Sequence, residues 1–185
     1  MRPEITLILH NIRSTHNVGA IFRTSEGLGI KRIVISGYTP FPDLAIINQP
    51  DPRLPHLVEK ITKQIHKTAL GAEQMVPFMR YETLEDWLEE NERTDSLPII
   101  ALEQAPDSIS LPDFAAPEAF ALLLGEEVDG ISAEHLARCA ATVEIPMFGN
   151  KESFNVSVAC GMALYQMMCR WWLRQFDALF AQQAL

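Results

Sequence analysis

The chain has 185 residues, 48% of them hydrophobic and 21% charged, with a formal net charge of −9. It is too apolar for a disordered segment, lacks the glycine period of a collagen, and is long enough for one globular domain to bury its own core. The charge excludes a uniformly basic nucleic-acid binder but not a local basic face, because residues 1–80 balance to +4 (ten Lys/Arg, six Asp/Glu) and residues 81–185 to −13 (five, eighteen).

Glu4-Ile5-Thr6-Leu7-Ile8-Leu9 reads as a first strand. A helix over residues 18–28 follows, with Val18, Ile21, Phe22, Ser25 and Leu28 on one stripe and Gly27 and Gly29 at its end. Arg32-Ile33-Val34-Ile35-Ser36 is a second strand, followed by a proline-rich loop over residues 37–55. Leu54, Leu57, Val58, Ile61 and Ile65 fit an amphipathic helix with Lys60, Lys63 and Lys67 on its far face. Residues 75–80 read as a strand. An acidic helix over residues 83–92 is capped by Thr83, with Asp86 three positions on.

The apolar runs at residues 97–102 and 119–124 suit strands covered on both faces. Ser132 caps a helix to about Cys139, Thr142-Val143-Glu144-Ile145 is a last strand, and one long helix over residues 156–181 closes the chain. Alternating strands and helices predict an α/β fold with a mostly parallel sheet and helices on both faces. Residues 1–185 read as a single domain. Three cysteines, Cys139, Cys160 and Cys169, form no CxxC pair and point to a reducing, cytoplasmic compartment. The apolar stretch before His10 is too brief for a signal-peptide core. The run over residues 156–169, broken by Ser157, Gly161 and Gln166, is too short to span a bilayer, so no membrane partner is expected.

Three segments carry candidate chemistry. In the first, His10-Asn11-Ile12-Arg13-Ser14-Thr15-His16-Asn17-Val18-Gly19-Ala20-Ile21-Phe22-Arg23-Thr24, a polar loop enters a helix. Asn17 stands where an N-cap belongs, Arg23 projects away from the apolar stripe, and Gly19 clears space one turn earlier. A guanidinium on such a helix suits a phosphate, although a capped helix with an exposed arginine explains the same residues.

The second, Leu122-Leu123-Leu124-Gly125-Glu126-Glu127-Val128-Asp129-Gly130-Ile131-Ser132, runs from a buried strand through a glycine-flanked acidic turn to a helix. Strand ends of this kind hold ligands in open α/β sheets. An ordinary turn with solvated acids, or a magnesium site on Glu126, Glu127 and Asp129, also fits these residues.

The third, Ile145-Pro146-Met147-Phe148-Gly149-Asn150-Lys151-Glu152-Ser153-Phe154-Asn155-Val156-Ser157-Val158-Ala159, leads an irregular loop into the final helix, with Asn155 at the cap. That helix is apolar nearly all round and is expected to be buried, with Gly161 admitting a neighbouring backbone.

Together and in this order, the segments resemble the three signature motifs of the SpoU/TrmH branch of the SPOUT RNA methyltransferases: Asn-Val-Gly-Ala-Ile-x-Arg-Thr, Leu-Leu-x-Gly-x-Glu-x-x-Gly, and Ile-Pro-Met-x-Gly-x-x-x-Ser-Leu-Asn-Val-Ser-Val-Ala. The resemblance runs from Leu7 to about Tyr165, with Phe154 standing where leucine is usual. It implies a deep C-terminal trefoil knot, S-adenosylmethionine as methyl donor with no metal, a homodimer with a shared site, and methylation of a ribose 2′-hydroxyl in tRNA or rRNA. A binding module of the same fold that has lost turnover is the alternative.

By the same resemblance, Asn17 and Arg23 handle the target nucleotide's phosphate and ribose, and Glu127 orients the arginine. Ser153 and Asn155 lie beside the transferred methyl. Leu102, Leu124, Gly125, Ile145, Met147 and Phe154 hold the donor. Residues 166–185 are then a C-terminal helical extension. From the charge distribution, capture of the RNA is expected of the basic half, through Arg13, Lys31, Arg32, Arg53, Lys60, Lys63 and Lys67, or of a helper protein, although a solvated helix face also explains Lys60, Lys63 and Lys67.

Overall fold

The computed structural model describes residues 3–126 and 129–183, the side chains of residues 174–183 excepted. Strand β1 (Glu4–His10) alternates as a strand covered on both faces must: Ile5, Leu7 and Leu9 enter one apolar layer and Ile8 the other. The remaining strands are β2 (Arg32–Ser36), β3 (Phe78–Arg80), β4 (Ile99–Leu102), β5 (Ile109–Ser110), β6 (Ala119–Leu124) and β7 (Ala141–Glu144). They form one sheet in the order β3-β2-β1-β6-β4-β7-β5, and all six named pairings are parallel. Leu7 of β1 lies between Ile33 of β2 and Leu122 of β6.

Helices α1 (Thr15–Leu28), α2 (Pro55–Ala69) and α5 (Val156–Gln183) pack on one face through Val18, Ile21, Phe22, Ile65, Ala69, Cys160, Ala163 and Leu164. Helix α3 (Leu84–Arg93) covers the other through Leu84, Trp87 and Leu88, beside Ile131 and Leu136, the latter from the short α4 (Ala133–Leu136). The fold class expected from the sequence is the observed one. Adjacent strands β1, β6, β4 and β7 all point the same way, so the chain segments leaving their carboxyl ends gather at one edge of the sheet. Three of those segments are the candidate motifs.

Several local expectations change. Ser14, not Asn17, caps α1: its hydroxyl accepts from the Asn17 N–H, and the helix starts three residues earlier than its apolar stripe. Gly19 clears space for α2 rather than beside Arg23, since a methyl there would lie 2.3 Å from the Ile65 carbonyl oxygen and 2.2 Å from Thr68 Oγ1. The strand placed at 75–80 shortens to β3, because a 3-10 turn at Ala72–Gln74 occupies the approach to it. The helix capped by Ser132 lasts one turn, and β5 had no sequence signal beyond two residues.

Among its described side chains, helix α5 buries one side only. Val158, Tyr165 and Trp172, seven residues apart, are 50%, 62% and 56% exposed. At Gly161 the neighbour is the Thr24 side chain, 3.7 Å from where a Cβ would stand, rather than a backbone.

Candidate active site

The turns after β6, β4 and β7 enclose a cavity of about 530 Å³. Its apolar wall includes Leu102, Leu124, Ile145, Phe154, Val156 and Ala159, and five carboxylates share the lining: Glu103, Glu126, Asp129, Glu144 and Glu152. This volume is ordinary for a small-molecule site. An apolar body with a cationic centre suits such walls, and a phosphate does not.

Of the residues named from sequence for the donor, Leu102, Leu124, Gly125, Ile145 and Phe154 line the cavity, and Met147 does not. Ser153 and Asn155 line it too. The Asn155 Oδ1 accepts from the Ser157 N–H at 3.0 Å and from the Ser157 hydroxyl at 2.7 Å, which caps α5 as its position predicts. The other end of the same amide donates to Asn17 Oδ1 at 3.1 Å. The first motif therefore meets the third at the cavity rim. Arg23, further along α1, is exposed, and its neighbour Thr24 faces Gly161 of α5. Glu127 lies outside the described residues.

Glu126, read as one of two acids in the second motif, closes a polar contact at the mouth. Arg13 Nη2 donates to Glu126 Oε1. The Tyr38 hydroxyl bonds the same carboxylate, and this bond first, then Arg13, holds it below the usual carboxylate range. Among the described residues no three carboxylate, imidazole or thiolate groups are grouped as metal ligands. The magnesium alternative thus has Glu126 already engaged with a guanidinium.

Four of the cations assigned to RNA capture form ion pairs within the chain: Arg13 with Glu126, Lys31 with Glu4 and Arg32 with Asp95 at the surface, and Arg53 with Asp51 in a largely buried pair. Arg53 also donates to the carbonyls of Phe41 and Pro42 and stacks on the Phe41 ring at 3.7 Å, so it builds the loop over residues 41–53. Lys60, Lys63 and Lys67 remain exposed along α2. Sequence reasoning missed Glu103 and Gln104, which bond the turns on either side of them. Their one signal was position, directly after a buried strand.

Residues 53–165, more than half of the chain, match the SpoU rRNA methylase family. The chain belongs to the SpoU rRNA methylase family. It is 28% identical over 168 residues to the 23S rRNA (guanosine-2'-O-)-methyltransferase RlmB of Coxiella burnetii, matching 89% of this chain and 58% of that protein. The chain thus spans little more than half the length of that curated relative.

The fold is shared with an AdoMet-bound rRNA methyltransferase from Sinorhizobium meliloti, at a TM-score of 0.73 and 23% identity, over 90% of this chain and 56% of that one. A structure concerned with 2-OH methylation of C/U34 on tRNA matches at a TM-score of 0.66 and 25% identity, over 89% of this chain and 94% of that one.

Proposed function

We propose that this SpoU-family protein transfers the methyl group of S-adenosylmethionine to a ribose 2′-hydroxyl of tRNA or rRNA. The observation that carries the proposal is the Asn17–Asn155 hydrogen bond, which brings the first and third motifs together beside an apolar cavity lined by carboxylates. The relatives' substrates, rRNA and tRNA, support the same chemistry.

Leu102, Leu124, Gly125, Ile145 and Phe154 would hold the donor, whose body is largely apolar and whose sulfonium is cationic. When bound, it supplies a methyl already activated for transfer. The protein's task is then alignment of the incoming hydroxyl for in-line attack. Ser153, Asn155 and Asn17 offer hydrogen-bonding groups for that sugar at the rim. Arg23 acts as a clamp on the neighbouring phosphate, favouring the alkoxide as it develops rather than removing its proton. Glu127 is assigned to orient Arg23.

Residues 1–185 are taken as one methyltransferase domain, with residues 166–185 a helical extension and the chain threaded as a knot. The exposed stripe of Val158, Tyr165 and Trp172 supports a homodimer through α5, since apolar rows of this kind are normally covered. RNA is met by Lys60, Lys63 and Lys67, with a helper protein supplying further contact where these do not suffice. Among the described residues no helix is long and apolar enough to cross a membrane. RNA as the substrate supports a cytoplasmic site of action.

Calorimetry with S-adenosylmethionine, paired with tritium transfer to bulk RNA in the presence of a chelator, tests the proposal. Donor binding with chelator-insensitive transfer is expected. Donor binding without transfer to any RNA would instead identify a binding module, and chelator-sensitive transfer would return the magnesium site.

A further inference from the structure

We propose that Glu103 and Gln104, the two residues after β4, are the positioning pair of this site. Glu103 fixes the acidic turn after β6, and Gln104 fixes the segment carrying Ser153. Their ligand, though not their geometry, rests on the methyl-transfer function proposed above.

Glu103 is rooted in the sheet. Its backbone N–H donates to the Val143 carbonyl of β7 at 3.0 Å, continuing the β4–β7 ladder by one residue. From there its carboxylate spans to the neighbouring turn. Oε2 accepts from the Ile131 N–H at 3.0 Å, and Oε1 accepts from the Gln104 N–H at 2.9 Å. The carboxylate lies flush against Gly130, where an added Cβ would stand 2.4 Å from Oε2. Gly130 has φ +67, a left-handed conformation that residues with a Cβ rarely adopt, so the conformation favours glycine, and any added Cβ would also push the Glu103 carboxylate aside.

The turn transmits what Glu103 fixes. The Gly130 N–H donates to the Glu126 carbonyl at 3.1 Å, closing an antiparallel bridge between those two residues. Holding Gly130 and Ile131 therefore holds both ends of the acidic segment. Ile131 is buried, so removing its acceptor strands an N–H away from water.

Gln104 works in the other direction. Its Nε2 donates to the Glu152 carbonyl at 2.8 Å, the residue before Ser153, across 48 positions of sequence. Two consecutive side chains on one strand end thus tie the second motif to the third. Both turns lie beyond the strands, where no ladder hydrogen bonds fix their separation. A shift of about 1 Å between groups that must align for transfer costs on the order of 100-fold in rate.

The test uses the full chain with Glu103→Gln, which keeps shape but replaces one acceptor oxygen by an amide, and Gln104→Ala. Three quantities are measured: S-adenosylmethionine affinity, amide exchange at residues 129–131, and the thermal unfolding midpoint. Donor affinity is expected to fall about tenfold in each variant as the turns lining the cavity loosen, with the midpoint lowered by about 2–4 °C, the scale of one lost intramolecular hydrogen bond in a chain of this size. Exchange at residues 129–131 should quicken in Glu103→Gln and stay as in the parent in Gln104→Ala. Parental affinity and exchange in both variants would overturn the proposal, as would an equal loss of donor affinity in a variant destabilised to the same midpoint by a substitution remote from the cavity. If the parent binds no donor while exchange still quickens in Glu103→Gln, methyl transfer fails as the function and the structural tie stands.

Discussion

The side-chain amide of Asn155 donates to Asn17 Oδ1 across 3.1 Å, joining the start of α5 to the first turn of α1 over 138 positions of sequence. The Ser157 N–H fixes which way the amide faces, because it must meet the oxygen, leaving the nitrogen for Asn17. One side chain thus serves as helix cap and as link between two motifs. Asn155→Asp separates these roles: the carboxylate still caps α5 but cannot donate to Asn17. Thermal stability near the parent's with methyl transfer at least tenfold slower is expected. Asn155→Ala should lose the transfer and, in addition, about 1 kcal/mol of stability measured by denaturant unfolding.

Arg23 tests the clamp. Arg23→Lys keeps the charge but loses the planar fork that holds a phosphate at two points. Single-turnover rates with saturating RNA are expected to fall by about 100-fold, the scale of losing one donor aimed at developing charge. A near-parental rate with only weaker RNA affinity would contradict a role in the transfer step.

Gly19 sets the approach of α1 to α2. Gly19→Ala places a methyl 2.3 Å from the Ile65 carbonyl, a backbone atom that moves only with its helix. Destabilisation of about 1–3 kcal/mol by denaturant unfolding is expected, the range for overpacking a tight contact. The first motif's glycine is thus explained by packing, and no part in catalysis is needed.

His10 stands at the end of β1, its Nδ1 within 3.0 Å of Ser36 Oγ and its ring edge-on to His135 at 5.2 Å. Burial first, then the neighbouring His135, pulls its pKa below 6.5, against the opposing pull of Glu85 and Glu126. The unfolded chain therefore takes up this proton more readily than the fold does. The contribution of neutral His10 to stability is complete above about pH 6.5 and is lost as the pH falls through the lowered value. An NMR titration of the ring should give a midpoint under 6.5, and one at or above it would contradict the burial seen here.

The sheet and its helices were legible because buried parallel strands announce themselves as apolar runs, as at Ala119–Leu124, and because Thr83 with Asp86 forms the capping box their spacing predicts. Helix starts were less so. The apolar stripe of α1 begins at Val18, whereas the Ser14 cap precedes it by a polar turn.

At the site, Ser153, Asn155 and the apolar wall were identifiable from the motifs, which set their spacing along the chain. Glu103 and Gln104 were not, because their meaning is tertiary: each bonds a turn that sequence places 28 and 48 residues away. The ion pairs of the basic half were hidden for a related reason. Arg32 and Arg53 look free in sequence, and only the fold brings Asp95 and a pair of loop carbonyls to them.

The central claim is tested most directly by incubating the protein with S-adenosylmethionine bearing an isotopically labelled methyl group and a mixture of tRNA and rRNA, then digesting the RNA to nucleosides for mass spectrometry. The label is expected on the ribose of a 2′-O-methylated nucleoside, and Asn155→Asp should reduce it at least tenfold. Label on a base, or no label in any RNA at a protein concentration where the donor is bound, would contradict the account.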